Sequence, residues 1–463
     1  MDESKLHASS FRDPSGYIFT DNEGLKRIVN PIYFQQYKTL KASGFFKLLF
    51  SKEMLIPHDE VSISDSQIII KPDYIDFITY PYEWGFNQYK AAALLTLKIQ
   101  KTALQHGFSL KDASAFNVTF YNGKMIFIDT LSFDFYKENT PWRAYKQFVM
   151  HFLGPLVLAH YHGSHCLKLL SSFIDGIPLK TIASMLPFKT RLNPFLYTNI
   201  HLLAKFENEY NEGGNSKEKE VKLSKKSQLK IIESLYDYIK KLRLKEKTEW
   251  GDYYDNVNYS EGDFKIKQTL VSKWAASVKP KNLIDIGGND GSFVRALPKM
   301  GLEQALVCDV DNTAIDTNYK TIFAHKETYI TPFVLDVLSP SPAIGFNNTE
   351  RFSFIKRIKK NAPDLTLALA VIHHMSLTGN ISFDMSARFF ASFSKHLVIE
   401  FPERNDSWVV KLLNDKREFK GHFEFYNINE FETVYTKYFT IKAKQTIGNS
   451  KRTLYLMEVK STN

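Results

Sequence analysis

Cysteine is almost missing from this chain: 463 residues contain only Cys166 and Cys308. They stand far apart in unrelated contexts, which excludes a disulfide framework and a CxxC-type zinc site and points to a reducing, cytoplasmic setting. Long apolar runs are missing too. The most apolar stretch, residues 148–160, is interrupted by His151, Gly154 and Pro155. The start, Met1-Asp2-Glu3-Ser4-Lys5, has no basic region leading into an apolar one. Neither a transmembrane helix nor a signal segment is therefore expected. No repeat of fixed period occurs, so a solenoid is excluded. Positive charge exceeds negative, 60 Lys+Arg against 50 Asp+Glu for a net +10, but the lysines are dispersed among acids. A nucleic-acid partner is disfavoured on that ground. What is present is ordinary globular material, 44% hydrophobic and 14% aromatic. It is enough for substantial cores in roughly two to three domains, and it excludes disorder and coiled-coil rods.

Composition changes abruptly once. Residues 207–226 are charged, carry Gly213-Gly214-Asn215-Ser216 and have no apolar periodicity, so they read as a mobile linker. The expected organisation is an α+β domain over 1–205, a linker over 206–227, a helical and aromatic connector over 228–262, and an α/β domain over 263–463. In the last, strand-like runs at 282–286, 305–308, 329–335, 365–372 and 396–401 alternate with helical stretches, the rhythm of a Rossmann-like doubly wound sheet. In the first, 16–20 and 67–80 read as strands, 33–50 and 86–106 as amphipathic helices, and Asn122-Gly123 as a hairpin turn.

The sharpest motif is Leu283-Ile284-Asp285-Ile286-Gly287-Gly288-Asn289-Asp290-Gly291, an apolar strand ending in an acid and turning through glycines into a helix. Gly287, Gly288 and Gly291 let the backbone approach a ligand closely. No Gly-Lys-Ser/Thr follows, so this is not a phosphate-binding Walker loop. Instead it resembles the first motif of class I S-adenosylmethionine-dependent methyltransferases. The next strand carries Asp309, about twenty residues on, where an acid would grip ribose hydroxyls; Asp311 is a close rival. The resemblance further implies that Asp336, after the third strand, receives an adenine amine. It also implies that the fourth strand, running into His373-His374, faces donor and acceptor. Asp285, Gly287, Gly288, Asn289, Gly291, Asp309, Asp311 and Asp336 are thus the expected S-adenosylmethionine residues. The fourth strand lacks the Asn/Asp-Pro-Pro-Tyr/Phe motif of base-amine methylation, and no Pro-Cys pair serves cytosine C5 chemistry. His373 and His374 offer an imidazole of near-neutral pKa, which suits O-methylation. Glu400 either orients a histidine or touches substrate; pairing with Arg404 or a helix N-terminus is the plainer alternative. No metal site is expected, since His162 and Cys166 flank Gly163 and Ser164, which favour a capped helix junction over a zinc site.

In the first half Asp112, four residues, Asn117, a hairpin and Asp129 follow in order. This resembles the catalytic loop and metal-binding strand of protein-kinase-like phosphotransferases, and implies Mg-ATP with Asp112 as base and Asn117 and Asp129 as metal ligands. The chain departs from that pattern. Lys111 stands before the first acid, Thr130 replaces the glycine after the last, and no glycine-rich loop or Val-Ala-x-Lys strand exists; Ser15-Gly16-Tyr17 and Lys26-Arg27 are the only substitutes. The aromatic segment 250–259 reads as a lid.

Over nearly its whole length the chain is similar to a family of bacterial nodulation-type methyltransferases, through Phe11-Arg12-Asp13-Pro14-Ser15-Gly16, Tyr80-Pro81-Tyr82-Glu83-Trp84 and Ile128-Asp129-Thr130-Leu131-Ser132-Phe133. The resemblance implies transfer of a methyl group to a glycan or small-molecule hydroxyl. A bifunctional kinase-methyltransferase of bacterial polysaccharide and a non-catalytic scaffold are the alternatives.

Overall fold

The computed structural model describes residues 6–64, 67–206, 222–245, 261–298 and 301–460. The expected linker core at 207–221 and the aromatic lid at 250–259 lie outside the described residues. The chain divides into two units, Met1–Glu246 with Ala343–Phe352, and Lys247–Pro342 with Ser353–Asn463.

Unit 1 is α+β. Strands β1 (Gly16–Asp21), β2 (Gly24–Val29), β3 (His58–Ile63) and β4 (Ile68–Pro72) form an antiparallel sheet in the order β1-β2-β4-β3. The helical stretch expected over 33–50 breaks in two at Gly44, whose φ of 76° only glycine adopts cheaply, giving Phe34–Ala42 and Phe45–Ser51. The strand expected over 67–80 stops at Pro72, because two prolines bound the segment that follows. Beyond it Thr79 to Trp84 is buried, and the Trp84 indole donates to Thr79 Oγ1 (3.0 Å). The helix Phe86–Gln105 leads to β5 (Phe108–Leu110). The hairpin β6 (Val118–Tyr121) and β7 (Lys124–Phe127) follows, and then β8 (Phe133–Phe135), antiparallel to β5. Asn122 and Gly123 turn the hairpin with φ of 47° and 80°.

Of the expected connector over 228–262, residues 246–260 lie outside the described residues. The helix Lys225–Lys241 buries Ile232, Leu235 and Ile239 within unit 1, and Lys101 Nζ meets Glu233 Oε1 at 2.8 Å. The apolar stripe needs a wall, and the helix Phe86–Gln105 provides it. Ala343–Phe352 also belongs to unit 1, although sequence on both sides belongs to unit 2. There Arg12 grips the buried Glu350 (Nε to Oε1 2.7 Å, Nη2 to Oε2 3.1 Å). The Arg351 guanidinium lies 4.8 Å above the Phe116 ring, and the Phe352 N–H donates to Tyr80 Oη at 3.0 Å.

Unit 2 opens its described part with the helix Glu261–Val278. Strands β9 (Asn282–Ile286), β10 (Gln304–Asp309), β11 (Ile330–Val334), β12 (Leu365–Ala368), β13 (His396–Pro402), β14 (Phe439–Thr446) and β15 (Arg452–Val459) form one sheet in the order β11-β10-β9-β12-β13-β15-β14. The first five are parallel, and β15 runs antiparallel to both β13 and β14. Order reverses between β9 and β12, so the crevice for a ligand opens beyond the carboxyl ends of those two strands. Among the described residues no helix is long and apolar enough to cross a membrane.

Candidate active site

The residues at those strand ends line one cavity of about 340 Å³ within unit 2. After β9 the backbone turns through Gly287 (φ 72°), and both Gly287 and Gly288 donate their N–H to Cys308 O (2.9 and 3.0 Å). A Cβ on Gly288 would sit 2.8 Å from the Asp285 carboxyl carbon and 2.9 Å from Val307 Cγ1, so no side chain fits there. Asn289 takes φ 47°, a left-handed conformation that asparagine tolerates, and its N–H donates to Asp309 Oδ2 (3.0 Å). Asp309 Oδ1 accepts from the Asp311 N–H (2.9 Å). The first turn is thereby tied to the second strand's acid.

Asp285, Gly287, Gly288, Asn289, Asp309, Asp336, His373 and His374 all line this cavity. Three expected residues do not. Gly291, at φ 78°, stands before the helix Ser292–Arg295 and serves the turn. Asp311 caps the helix Asn312–His325 through Oδ1, accepting from Thr313 N–H (2.7 Å) and Ala314 N–H (3.4 Å), and does not line the cavity. Glu400 is fully buried between two cations, with Lys267 Nζ at 2.6 Å from Oε2 and Arg452 Nη1 at 3.0 Å from Oε1. Arg404 donates instead to Phe423 O (2.5 Å).

The cavity's electrostatics are set by burial. Asp285 is buried with neither carboxylate oxygen hydrogen-bonded, and desolvation pushes its carboxyl up to about 7 despite the nearby Lys267 ammonium. Desolvation raises Asp309 to about 6, against the pull of the Asp311 and Asn289 N–H groups. The near-neutral imidazole expected from sequence is not found. Desolvation, then the Arg452 charge, lowers His374 to about 4; desolvation, His374, Arg452 and Lys267 hold His373 well below the usual histidine range. The two rings lie 4.2 Å apart, and His373 Nδ1 is buried without a hydrogen bond.

Sequence reasoning missed Lys267, Arg452, Trp408 and Ala370, all of which line the cavity. Arg452 starts β15 and binds Asp406 (Nε to Oδ2 2.7 Å, Nη2 to Oδ1 3.2 Å). Asp406 in turn caps the helix Ser407–Asn414 through the Trp408 N–H (3.0 Å), which fixes where Trp408 enters. An arginine opening an otherwise apolar strand was the available signal. Ala370, in the turn after β12, has φ 56°, a left-handed conformation that costs an L-residue about 1–2 kcal/mol. Ala370→Gly is therefore expected to be neutral or stabilising, by up to about 1 kcal/mol in urea unfolding, whereas Ala368→Gly within β12 destabilises by a similar amount.

In unit 1 the structure brings Asp112, Asn117 and Asp129 together. Asn117 bonds Asp112 and donates to Ser132 Oγ (3.3 Å), and Ser132 donates to Asp129. Asp112 Oδ1 also accepts from Gln147 Nε2 (2.8 Å). Desolvation, then the Asp129 charge, raises the Asp112 carboxyl. Burial pushes Asp129 up as well, but the paired Arg27 and the bonds from Ser132 and Leu131 outweigh it and leave the carboxyl lowered. The helix Gly154–His162 is followed by Gly163, and His162 Nε2 faces Met185 O (2.8 Å).

No protein-family model matches the chain. It is similar to the nodulation protein NoeA of Rhizobium meliloti (strain 1021), 28% identical over 465 residues, which covers 97% of this chain and 95% of that protein. Among solved structures it is similar to the N-methyltransferase NodS from Bradyrhizobium japonicum WM9 in complex with S-adenosyl-L-homocysteine, at 15% identity and a TM-score of 0.30 over 42% of this chain and 87% of that one. Monomeric WbdD is matched at 15% identity and a TM-score of 0.29 over 47% of this chain and 45% of that one. The fold described above rests on strand order and register, independently of these likenesses.

Proposed function

We propose that the chain is an S-adenosylmethionine-dependent methyltransferase that acts on a hydroxyl of a glycan or small molecule. The observation that carries this reading is Asp285: a buried carboxylate without a hydrogen bond, facing a cavity whose floor is a glycine turn that no side chain can occupy. Such a group calls for a donor-bearing ligand. S-adenosylmethionine fits, with an ammonium and ribose hydroxyls as donors for Asp285 and Asp309, and an adenine amine for Asp336. When bound it supplies an electrophilic methyl group. The protein's own part is placement and proton handling. The glycine turn lets the backbone close on the ligand, and Trp408 with His373 and His374 offers walls for an acceptor. A histidine at about 4 is neutral at physiological pH and is free to take a hydroxyl proton as bond formation makes that hydroxyl acidic. In-line placement supplies much of the acceleration.

A second reading attaches to unit 1. The convergence of Asp112, Asn117 and Asp129, with Arg27 of β2 paired to Asp129, favours a phosphotransferase-like site for a magnesium nucleotide. A metal there would have to displace Arg27 from Asp129. Calorimetric titration separates the two readings. S-adenosylhomocysteine is expected to bind one site. Absence of that binding overturns the methyltransferase, and absence of binding by magnesium with a non-hydrolysable ATP analogue overturns the second reading.

A further inference from the structure

We infer that residues 185–197 of unit 1 form a docking surface for an anionic phospholipid membrane. Four large side chains stand in water on this short stretch: Met185 (38% exposed), Phe188 (72%), Leu192 (75%) and Tyr197 (45%). Apolar groups exposed in a cluster, rather than singly, mark an interaction surface. The stretch is built rather than frayed. Leu186 and Leu196 are buried beneath it, Thr190 Oγ1 donates to Pro187 O (2.7 Å), and Asn193 Oδ1 accepts from the Phe195 and Leu196 N–H groups (3.0 and 3.1 Å). Phe188 and Leu192 are thus held outward by a short, cross-braced hook.

Charge names the partner. Residues 177–206 contain Lys180, Lys189, Arg191 and Lys205 and no aspartate or glutamate, in a chain that otherwise mixes both signs. Lys180, Lys189, Arg191 and Lys205 are all exposed, and the Arg191 guanidinium lies 5.7 Å from the Phe188 ring. Bulky apolar tips among cations are what an interfacial site requires: the tips enter the acyl boundary while the cations meet anionic headgroups. A second copy of the chain is the poorer partner, because a two-fold contact would set these cations against themselves.

The test is sedimentation of the full chain with vesicles of phosphatidylcholine alone or mixed with phosphatidylglycerol. Binding is expected to the mixed vesicles only, and to be lost at about 0.5 M salt. Lys189→Gln with Arg191→Gln is expected to weaken it about thirtyfold, and Phe188→Ser with Leu192→Ser to abolish it. Both variants should keep the wild-type melting temperature, since the four side chains are exposed and support no core. Failure of the wild type to bind mixed vesicles overturns the inference, as does equal binding by the Phe188→Ser/Leu192→Ser variant. A wild-type dimer that this variant turns into a monomer assigns the surface to self-association and overturns it too.

Discussion

Asp285→Asn is expected to stabilise the free protein at pH 8 by about 2–4 kcal/mol while weakening S-adenosylhomocysteine binding at least about a hundredfold. Both effects come from one buried carboxylate. In the free folded chain Asp285 titrates at about 7 rather than the ordinary 3.8, because burial penalises its charge. An acid whose folded value is raised contributes stability that is complete below about pH 4 and is lost as pH rises through about 7. Asparagine never ionises, so the variant escapes that loss. In urea titrations the two proteins should unfold alike below about pH 4, diverge as pH rises from about 4 to 7, and differ by a constant amount above that. Ligand binding runs the other way. The donors of the ligand need the ionised carboxylate, so wild-type affinity should fall as pH drops below 7, approaching tenfold per unit, with Asp309 adding to the loss below 6. An Asp285→Asn variant that binds as tightly as wild type, with the same pH profile, sinks the assignment of this cavity to the cofactor.

Arg452→Ala is the second large effect. Arg452 is buried and reaches two acids at once, Glu400 and Asp406. Its removal leaves Asp406 without its ion pair and takes one of the two cations from Glu400, and stranding buried charge costs about 3–5 kcal/mol. For a unit of this size that lowers the melting temperature by roughly 10 °C. Adding Asp406→Asn should return part of the loss, because the asparagine oxygen still caps the helix Ser407–Asn414 without a charge. If Arg452→Ala melts within a degree or two of wild type, the network is not what holds β15 to this helix.

The parts of the site legible in sequence are those that local chain geometry decides. An apolar strand, a terminal acid and a glycine turn lie within a few residues of one another, and the acid of the next strand follows at a fixed distance; Asp285, Gly287, Gly288 and Asp309 were therefore in reach. The choice between Asp309 and Asp311 was not. Two residues apart at a strand end, either carboxylate suits a ribose, and only the start of the helix Asn312–His325 shows that Asp311 is engaged as its cap. Lys267 gave no sequence signal and Arg452 only that of an arginine opening the last strand; the folded sheet is what brings both to Glu400. The histidines illustrate the same limit. Their position was readable, but their acidity depends on burial and on two distant cations. In unit 1 the hairpin and its turn were plain from Asn122-Gly123, whereas the partnership of Arg27 on β2 with Asp129 in the loop after β7 joins segments far apart in sequence.

Ala343–Phe352 carries a consequence for ancestry. Because ten residues embedded in the sequence of unit 2 complete the packing of unit 1, with Glu350 answering Arg12 and Phe352 answering Tyr80, neither half is a cassette that a single recombination event could hand on intact. A cut near residue 246 would strand Arg12 and uncover the Phe116 ring on one side, and leave a buried-type carboxylate dangling on the other. Joint inheritance of the two halves is therefore the expected outcome, and lineages that carry one without the other should have lost or rewritten both ends of the Arg12 and Glu350 pair.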